Sequence, residues 1–229
     1  LGDGVVAGHG MIDGRRVACF SQDYSVFSGT MGEMHAKKIA KVAEFAEKSQ
    51  LPVVGIWDGD GQRAHEGVTS LGATGELLEI LVACSGKVPM ISIVLGTVSG
   101  TSALAAALSD FVILGQGRGR MFMRSPYVIP EIVEGELDEE TLGGSGQHAS
   151  RSGVACLVSE TEGGAFDLAA EILSFLPDHT LAEPAIISTG DKPTRKCKGM
   201  EKLVPQDSDR PYDMRKVVCL LYTSDAADE

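Results

Sequence analysis

Two glycine-bearing loops carry the residues of this chain that are best suited to chemistry. Residues 58–67 are DGDGQRAHEG and residues 96–102 are GTVSGTS, and each loop follows an apolar run typical of a buried strand. The second loop leads into a small-residue helix, so the N–H groups of Gly100 and Thr101 are expected at a helix N-terminus, which stabilises negative charge. If Gly61 brings another N–H group to the same point, the pair forms an oxyanion hole able to hold a thioester enolate. The alternative is two tight turns that need glycine only for steric reasons.

Motifs for nucleotide binding and serine hydrolysis are incomplete. GQGRGR, residues 115–120, has Arg120 where a dinucleotide-binding fingerprint needs its third glycine. The second glycine loop has no lysine and is one residue short of a phosphate-binding Walker loop. Neither Ser99 nor Ser145 stands between glycines at the spacing of a nucleophile elbow. A dinucleotide enzyme, an NTPase and a serine hydrolase are therefore disfavoured.

Histidines and cysteines show no pattern for metal binding or disulfides. The five histidines occur singly, without HxxxH or HxxE spacing, and only His65 lies in a glycine-rich loop. His65 is thus the one histidine that we consider for ligand contact. The five cysteines are scattered and contain no CxxC pair, which indicates free thiols in a reducing compartment. We expect no metal in this chain and a cytoplasmic location.

Composition and charge limit the class of protein and the kind of partner. Of 229 residues, 43% are hydrophobic and 23% are charged, which is typical of a soluble globular α/β protein with a sizeable core. The formal net charge of −12 opposes a general attraction to nucleic acid or to an anionic membrane surface. No apolar run reaches the ~18 residues that a membrane span requires. An anionic ligand would need local donors.

Hydrophobic periodicity predicts the elements that position the two loops. Residues 4–23 hold two β-rich runs joined by Asp13-Gly14, which predicts a hairpin. Residues 30–50 carry a helical stripe that begins with Thr30 and Glu33 spaced as a capping box. Later apolar runs separated by helical segments predict an α/β fold with a mostly parallel sheet. These runs are VVGIW, PMISIVLG and DFVILG, followed by a short strand at 153–158 and a helix at 160–175.

The order of these segments resembles one family, the carboxyltransferase (β) subunits of biotin-dependent acyl-CoA carboxylases of the propionyl-CoA carboxylase β-chain type. GDGVVAGHGMIDGRRVACFSQDYSVFSGTMGEMHAKKIAKV is similar to the opening of that subunit. DGDGQRAHEGV resembles its Asp-Ser-Gly-Gly-Ala-Arg-Ile-Gln-Glu-Gly loop, and LGTVSGTSALAAALSDFVIL resembles its Gly-Pro-Cys-Ala-Gly-Gly-Ala segment. ELDEETLGGSGQHASRSGVA and LVPQDSDRPYDMRKVV resemble later segments, so the likeness extends in order over residues 2–218.

The resemblance implies a crotonase/ClpP-like fold of ββα units and an enzyme of the ligase or transferase type. Such an enzyme moves a carboxyl group from carboxybiotin to a short-chain acyl-CoA, propionyl-CoA or acetyl-CoA, through an enolate held by backbone N–H groups. Its implied partners are acyl-CoA, a biotin carboxylase, a biotin carrier subunit and further copies of the carboxyltransferase subunit.

The resemblance also implies a division of the chain. Residues 1–219 are expected to be the acyl-CoA-binding N-terminal domain, truncated at both ends and inactive alone. Residues 220–229, LLYTSDAADE, break with the preceding sequence and are expected to be a non-native tail.

Site residues follow from the matched motifs of the family. The backbone oxyanion donors fall on Gly61, Gly100 and Thr101. In the first loop, the resemblance implies that Arg63, Glu66 and Gly67 bind substrate, and His65 is added because it lies in the same glycine-rich loop. Because the chain is acidic, the CoA phosphates need a local basic patch. The candidates for that patch are Arg63, Arg118, Arg120 and Arg124.

Asp60 and Thr101 depart from the family pattern, which has glycine at both positions. Thr101 adds bulk where a ligand must approach closely, and Asp60 places a carboxylate beside a site for an enolate. A non-catalytic protein of the same fold therefore stays open as an alternative. A biotin-dependent decarboxylase, which runs from a malonyl- or methylmalonyl-type thioester to biotin, stays open as well.

Overall fold

The structure of the chain is a computed structural model that describes residues 2–124, 138–184, 186 and 194–222. The chain divides into two compact units, Leu1–Ala185 and Ile186–Glu229, where the sequence predicted one domain over residues 1–219. The first unit contains the β-sheet and both glycine loops. Among the described residues, no helix is both long and apolar enough to cross a bilayer.

The described part of the first unit is built on a seven-stranded sheet. Its strand order is β1-β2-β3-β4-β5-β7, and β6 pairs with β4. Only β1 and β2 are antiparallel. This topology confirms the predicted α/β class with a mostly parallel sheet. The strands are β1 (Val5–Ile12), β2 (Arg15–Gln22), β3 (Val53–Gly59), β4 (Met90–Ser99), β5 (Phe111–Gly115), β6 (Arg120–Phe122) and β7 (Leu157–Ser159).

The predicted hairpin is confirmed, and its turn has the expected chemistry. Asp13 and Gly14 both have positive φ, 48° and 82°, as a type I′ turn requires. The turn sets a register in which Val5 lies opposite Gln22. Gln22 therefore stands at the end of β2, beside the parallel strand β3.

Helices cover both faces of the sheet. On one face lie α1 (Glu33–Ser49), α2 (Val68–Cys84) and α3 (Gly100–Ala107), and on the other lies α6 (Glu162–Phe175). Side chains of a strand point alternately to the two faces. Accordingly, Met90 and Val94 of β4 pack with the first group of helices, whereas Ile91 and Ile93 pack with α6. Short helical segments α4 (Glu139–Gly143) and α5 (Ser145–Gln147) follow residues 125–137, which lie outside the described residues.

The predicted capping box at the start of α1 is wrong. The N-cap is Gly32, and the Thr30 hydroxyl instead donates to the carbonyl oxygen of Phe27 at 2.6 Å. The first N–H groups of the helix are capped by carboxylates from elsewhere in the fold. Glu66 Oε2 accepts from the N–H of Glu33 at 2.6 Å, and Asp3 Oδ2 accepts from the N–H of His35 at 2.9 Å. Two carboxylates that are distant in sequence thus replace the local cap, and their negative charge interacts favourably with the positive end of the helix dipole.

The second unit contains α7 (Met200–Leu203) and α8 (Met214–Tyr222) among its described residues. Residues 220–222 of the predicted tail belong to α8, and residues 223–229 lie outside the described residues.

Candidate active site

The two glycine loops meet at the carboxyl edge of the sheet. Strands β3 and β4 are parallel, with Gly59 paired to Val98, so the segments that follow them leave from the same edge. A Cβ atom placed on Gly61 would lie 3.0 Å from the carbonyl oxygen of Ser99 and 3.1 Å from its hydroxyl oxygen. Gly61 also has a φ of +69°, a conformation that side chains disfavour. The structure therefore brings Gly61 against the start of α3, as an oxyanion hole requires.

Gly100 and Thr101 form the first turn of α3, as the sequence analysis expects. Ser99 is the N-cap, and the first N–H groups of a helix have no partner within that helix. Gly100 has a φ of +54°, and the nearest protein atom to a Cβ placed there is the carbonyl oxygen of Met123, 4.0 Å away. Among the residues that the structure describes, none therefore blocks the space in front of Gly100. Behind this turn the hydroxyl of Ser102 is fully buried and has no hydrogen-bond partner among the described residues.

The N–H of Gly61 is less free than those at the start of α3. It donates to the carbonyl oxygen of Gly59 at 3.0 Å, which closes a three-residue turn. A ligand oxygen would have to compete with Gly59 for this donor. The N–H groups at the start of α3 are therefore more available to a ligand than that of Gly61.

Arg63 is buried in an ion-pair cluster and does not face solvent. Its residue is 3% exposed, and Nη1 donates to Asp3 Oδ1 at 2.7 Å and to Glu66 Oε1 at 2.8 Å. Nη2 donates to the carbonyl oxygen of Thr30 at 2.8 Å, and the guanidinium carbon lies 4.8 Å from the ring centre of Phe27. This burial argues against the predicted contact of Arg63 with a CoA phosphate, because its donors are already engaged within the protein.

The same cluster gives Glu66 a structural role. The N–H of Glu33 and then the guanidinium of Arg63 lower the pKa of Glu66, so its carboxylate stays charged and ties the first loop to α1. His65 is exposed, with its ring centre 5.7 Å from that of Phe27. Gly67 has a φ of +57° and is the N-cap of α2. These first-loop residues shape and anchor the loop that carries Gly61.

The other three arginines differ in their surroundings. Arg118 pairs with Glu162 at 2.7 Å, and Arg120 pairs with Glu139 and Glu140 at 3.4 and 3.3 Å. Arg124 is exposed and directly follows Met123, whose carbonyl oxygen lies 4.0 Å from a Cβ placed on Gly100. Of the predicted phosphate ligands outside the first loop, Arg124 is therefore the one that adjoins a residue bordering Gly100.

A buried hydrogen-bond chain that the sequence analysis missed supports the end of β3. The Gln22 side chain accepts from the N–H of Asp58 through Oε1 at 3.0 Å, so its Nε2 faces His35 and donates to the ring Nε2 at 2.9 Å. The ring Nδ1–H then donates to the carbonyl oxygen of Asp3 at 3.0 Å. Burial lowers the pKa of His35 to about 4, which keeps the imidazole neutral. No periodic pattern of the sequence links a histidine of α1 to a strand end, so this chain was not predictable.

The His35 contact makes stability depend on pH. The pKa of His35 falls from 6.5 to about 4 on folding. The folded state is therefore most stable above pH 6.5, where the imidazole is neutral in both states, and it loses stability as the pH falls toward 4. For this residue alone we expect a loss of about 2 kcal/mol in the free energy of unfolding between pH 7 and pH 5. Urea unfolding at both pH values measures it. His35→Gln should remove this slope, whereas His65→Gln, at an exposed position, should retain it; an equal slope in the His35 variant contradicts the assignment.

The fold is that of one class of protein. The family model described as "Carboxyl transferase domain" matches residues 1–225, and the chain belongs to this family. It is 39% identical over 217 residues to the methylmalonyl-CoA decarboxylase subunit alpha of Veillonella parvula. It is also 39% identical over 219 residues to a putative propionyl-CoA carboxylase beta chain of Bacillus subtilis. These matches cover 95% of this chain and 43% and 42% of the relatives, so the chain spans less than half of their length.

Solved structures show the same relationship. The structure of transcarboxylase 12S with methylmalonyl-coenzyme A and methylmalonic acid bound matches with a TM-score of 0.82 and 33% identity, over 95% of this chain and 42% of that one. The beta subunit of geranyl-CoA carboxylase from P. aeruginosa matches with a TM-score of 0.71 and 27% identity, over 95% of this chain and 41% of that one. These likenesses confirm the predicted crotonase-like fold.

Proposed function

We propose that this chain is the acyl-CoA-binding part of a biotin-dependent carboxyltransferase that acts on a short-chain acyl-CoA, propionyl-CoA or acetyl-CoA. The observation that carries the proposal is the contact between the Gly61 loop and the start of α3 at Gly100. In this proposal, the backbone N–H groups at the start of α3 and the side-chain-free Gly61 together form a carbonyl site at the carboxyl edge of the sheet. A thioester carbonyl at that point would receive hydrogen bonds that strengthen as negative charge develops on its oxygen.

The residues of this chain bind and orient the thioester in the proposed reaction. The N–H groups of Gly100 and Thr101 hold the carbonyl oxygen, Gly61 allows close approach, and Arg124 offers its charge to a CoA phosphate. Carboxybiotin, brought by a biotin carrier that a biotin carboxylase charges, would supply the carboxyl group. In this scheme, a group that does not belong to this chain removes the α-proton of the thioester. The residues of this chain therefore need to stabilise the enolate and do not need to act as a base.

An exposed apolar stripe on α2 supports the proposed homo-oligomer. Val68, Leu71 and Val82 are 83%, 59% and 59% exposed on a helix whose opposite side packs into the core. Exposed apolar patches of this kind mark contact surfaces. We propose that the stripe packs against another carboxyltransferase subunit, and that the assembly works in the cytoplasm without nucleic acid or membrane.

Decarboxylation is a second candidate function. The specific observation in its favour is the 39% identity to a methylmalonyl-CoA decarboxylase subunit alpha, equal to that for a putative propionyl-CoA carboxylase beta chain. Both directions pass through a thioester enolate, so the same backbone donors serve either one.

Thioester binding by this chain tests the proposed function. We expect micromolar to millimolar affinity for propionyl-CoA, about 4 to 8 kcal/mol by calorimetry. S-propyl-CoA, a thioether without the carbonyl, should bind more weakly, and the ¹³C resonance of a labelled propionyl carbonyl should shift downfield on binding. Equal affinities for the two ligands, with no shift, would contradict the proposed oxyanion hole.

Two glycine variants supply a matched control for this binding experiment. Gly100→Ala and Gly153→Ala both place a methyl group at positive φ, 54° and 71°, and apart from the chain neighbours no atom of the described residues comes closer than 4.0 Å. Both should lose similar stability, about 1 kcal/mol. Only Gly100→Ala should weaken propionyl-CoA binding, because only there does the methyl group enter the proposed carbonyl site.

A further inference from the structure

Two side-chain hydrogen bonds join the glycine loops, one on each side of the proposed carbonyl site. Ser99 Oγ donates to Asp60 Oδ1 at 2.7 Å. Thr101 Oγ1 donates to Gln62 Oε1 at 3.2 Å. The acceptors flank Gly61 in the first loop, and the donors flank Gly100 in the second. The two glycines are therefore held between a pair of cross-loop bonds.

The Gln62 end of the pair is anchored to α2. Gln62 Nε2 donates to Ser70 Oγ at 2.7 Å, and Gln62 Oε1 also accepts from Thr74 Oγ1 at 3.1 Å. Ser70 and Thr74 are buried, with exposures of 0% and 1%. Because both partners are fixed in the core, the amide oxygen that Thr101 reaches has little freedom to move.

The Asp60 end depends on charge. Ser99 is 4% exposed, and its hydroxyl gives the Asp60 carboxylate a charge-assisted hydrogen bond, a class stronger than bonds between neutral groups. Gly61 packs against this same serine, since a Cβ there would lie 3.1 Å from Ser99 Oγ. The bond therefore holds the two loop backbones at the distance that only glycine allows.

We propose that Asp60 and Thr101 are positioning residues that fix the separation of the Gly61 and Gly100 loops for thioester recognition. This inference rests on the proposed function. Backbone donors stabilise an oxyanion only when they lie about 3 Å from it, and small misplacements are costly. Glycine, which the family pattern has at both positions, has no side chain and can form neither of these bonds. Asp60 and Thr101 thus each supply one of the two cross-loop hydrogen bonds, Ser99–Asp60 and Thr101–Gln62, which together we call the latch. Their departure from the family pattern is then compatible with function.

Variants of Thr101 distinguish the effect of its hydrogen bond from the effect of its side-chain size. Thr101→Val keeps the shape and removes the donor, while Thr101→Ser keeps the donor. The measured quantity is the affinity ratio of propionyl-CoA to S-propyl-CoA, which reports only the carbonyl contact. We expect this ratio to fall about 3- to 10-fold in Thr101→Val, as for a lost hydrogen bond, and to be restored in Thr101→Ser. Thr101→Gly should lower it too; a higher ratio in Thr101→Gly would show that Thr101 obstructs the site and would overturn the proposal.

A double-mutant cycle tests the other bond. Asp60→Ala and Ser99→Ala should each lower the same ratio, and the double variant should be no worse than the more affected single variant, because the two side chains act through one contact. Asp60→Asn retains an acceptor oxygen but loses the charge, so its affinity ratio should lie between those of Asp60→Ala and the original chain. Fully additive effects would overturn the pairing of Asp60 with Ser99.

Amide hydrogen exchange without ligand keeps the latch testable on its own. Exchange in residues 59–62 and 99–102 should become faster in Thr101→Val and in Asp60→Ala, and should remain slow in Thr101→Ser. Unchanged exchange in Thr101→Val and Asp60→Ala would overturn the latch. If exchange responds as expected but the original chain does not prefer propionyl-CoA to its thioether, the latch stands and the proposed function fails.

Discussion

A Gly61→Val variant is expected to lose the preference for propionyl-CoA over its thioether. In a transfer-competent assembly that contains this chain, turnover should fall on the order of 10²–10³-fold, as for the loss of an oxyanion hydrogen bond, because the carbonyl could no longer approach the N–H groups of Gly100 and Thr101. Two structural facts support the size of this effect. Gly61 has a φ of +69°, which a β-branched residue tolerates poorly, and its Cβ would press on the carbonyl oxygen of Ser99 at 3.0 Å. The variant would therefore push the two loops apart where the carbonyl must sit.

A control must separate this loss from general strain. Gly153→Val introduces the same side chain at a nearly identical φ of +71°, but in the part of the chain that the structure describes its Cβ would meet no atom within 4 Å beyond its chain neighbours. Both variants should melt at a lower temperature, and only Gly61→Val should lose carbonyl recognition. Gly61→Ala gives a milder form of the same test if the valine variant does not fold. A Gly61 variant that binds propionyl-CoA as the original chain does would remove Gly61 from the site.

The backbone framework of the site follows from local sequence signals. Asp13-Gly14 determines the hairpin turn, and the apolar runs after Pro52 and Pro89 form the parallel strands β3 and β4. Because parallel strands end at a common edge, the meeting of their loops could be expected from strand order alone. The start of α3 at Gly100 likewise follows from a glycine that leads into a run of small residues.

The side-chain network around the site was less predictable, because its partners are distant in sequence. Asp3 and Glu66 both reach Arg63 and the first turn of α1. No spacing rule connects these positions, and the local candidate for the helix cap, Thr30, turns to Phe27 instead. An arginine beside a glycine loop in an acidic chain was predicted to bind phosphate, whereas the fold buries it. The cross-loop bonds of Asp60 and Thr101 were unpredictable for the same reason, since they depend on how two loops face each other.

Removal of the Arg63 guanidinium is expected to lower the free energy of unfolding more than any other proposed substitution of a charged residue. Arg63→Met keeps much of the apolar stem but leaves Asp3 and Glu66 facing each other without their shared cation. Their side chains are 17% and 26% exposed, so solvent and the helix dipole relieve part of the repulsion. We expect the free energy of unfolding to fall by about 3 kcal/mol, near the lower end for breaking a buried ion pair. Chemical denaturation at pH 7 measures this change.

The surface pair of Arg118 with Glu162 provides the matched control. The Arg118 side chain is 72% exposed, so Arg118→Met should change the free energy of unfolding by less than about 0.5 kcal/mol. Arg63→Lys should recover only part of the loss, because one ammonium group cannot reproduce the fork that reaches two carboxylates and the carbonyl oxygen of Thr30. Equal losses in Arg63→Met and Arg118→Met would contradict the structural role. Arg63 lies two residues from Gly61 and pairs with Glu66, which caps the start of α1. Its loss should therefore also loosen the first glycine loop. The stability of this cluster is thus linked to the geometry of the proposed carbonyl site.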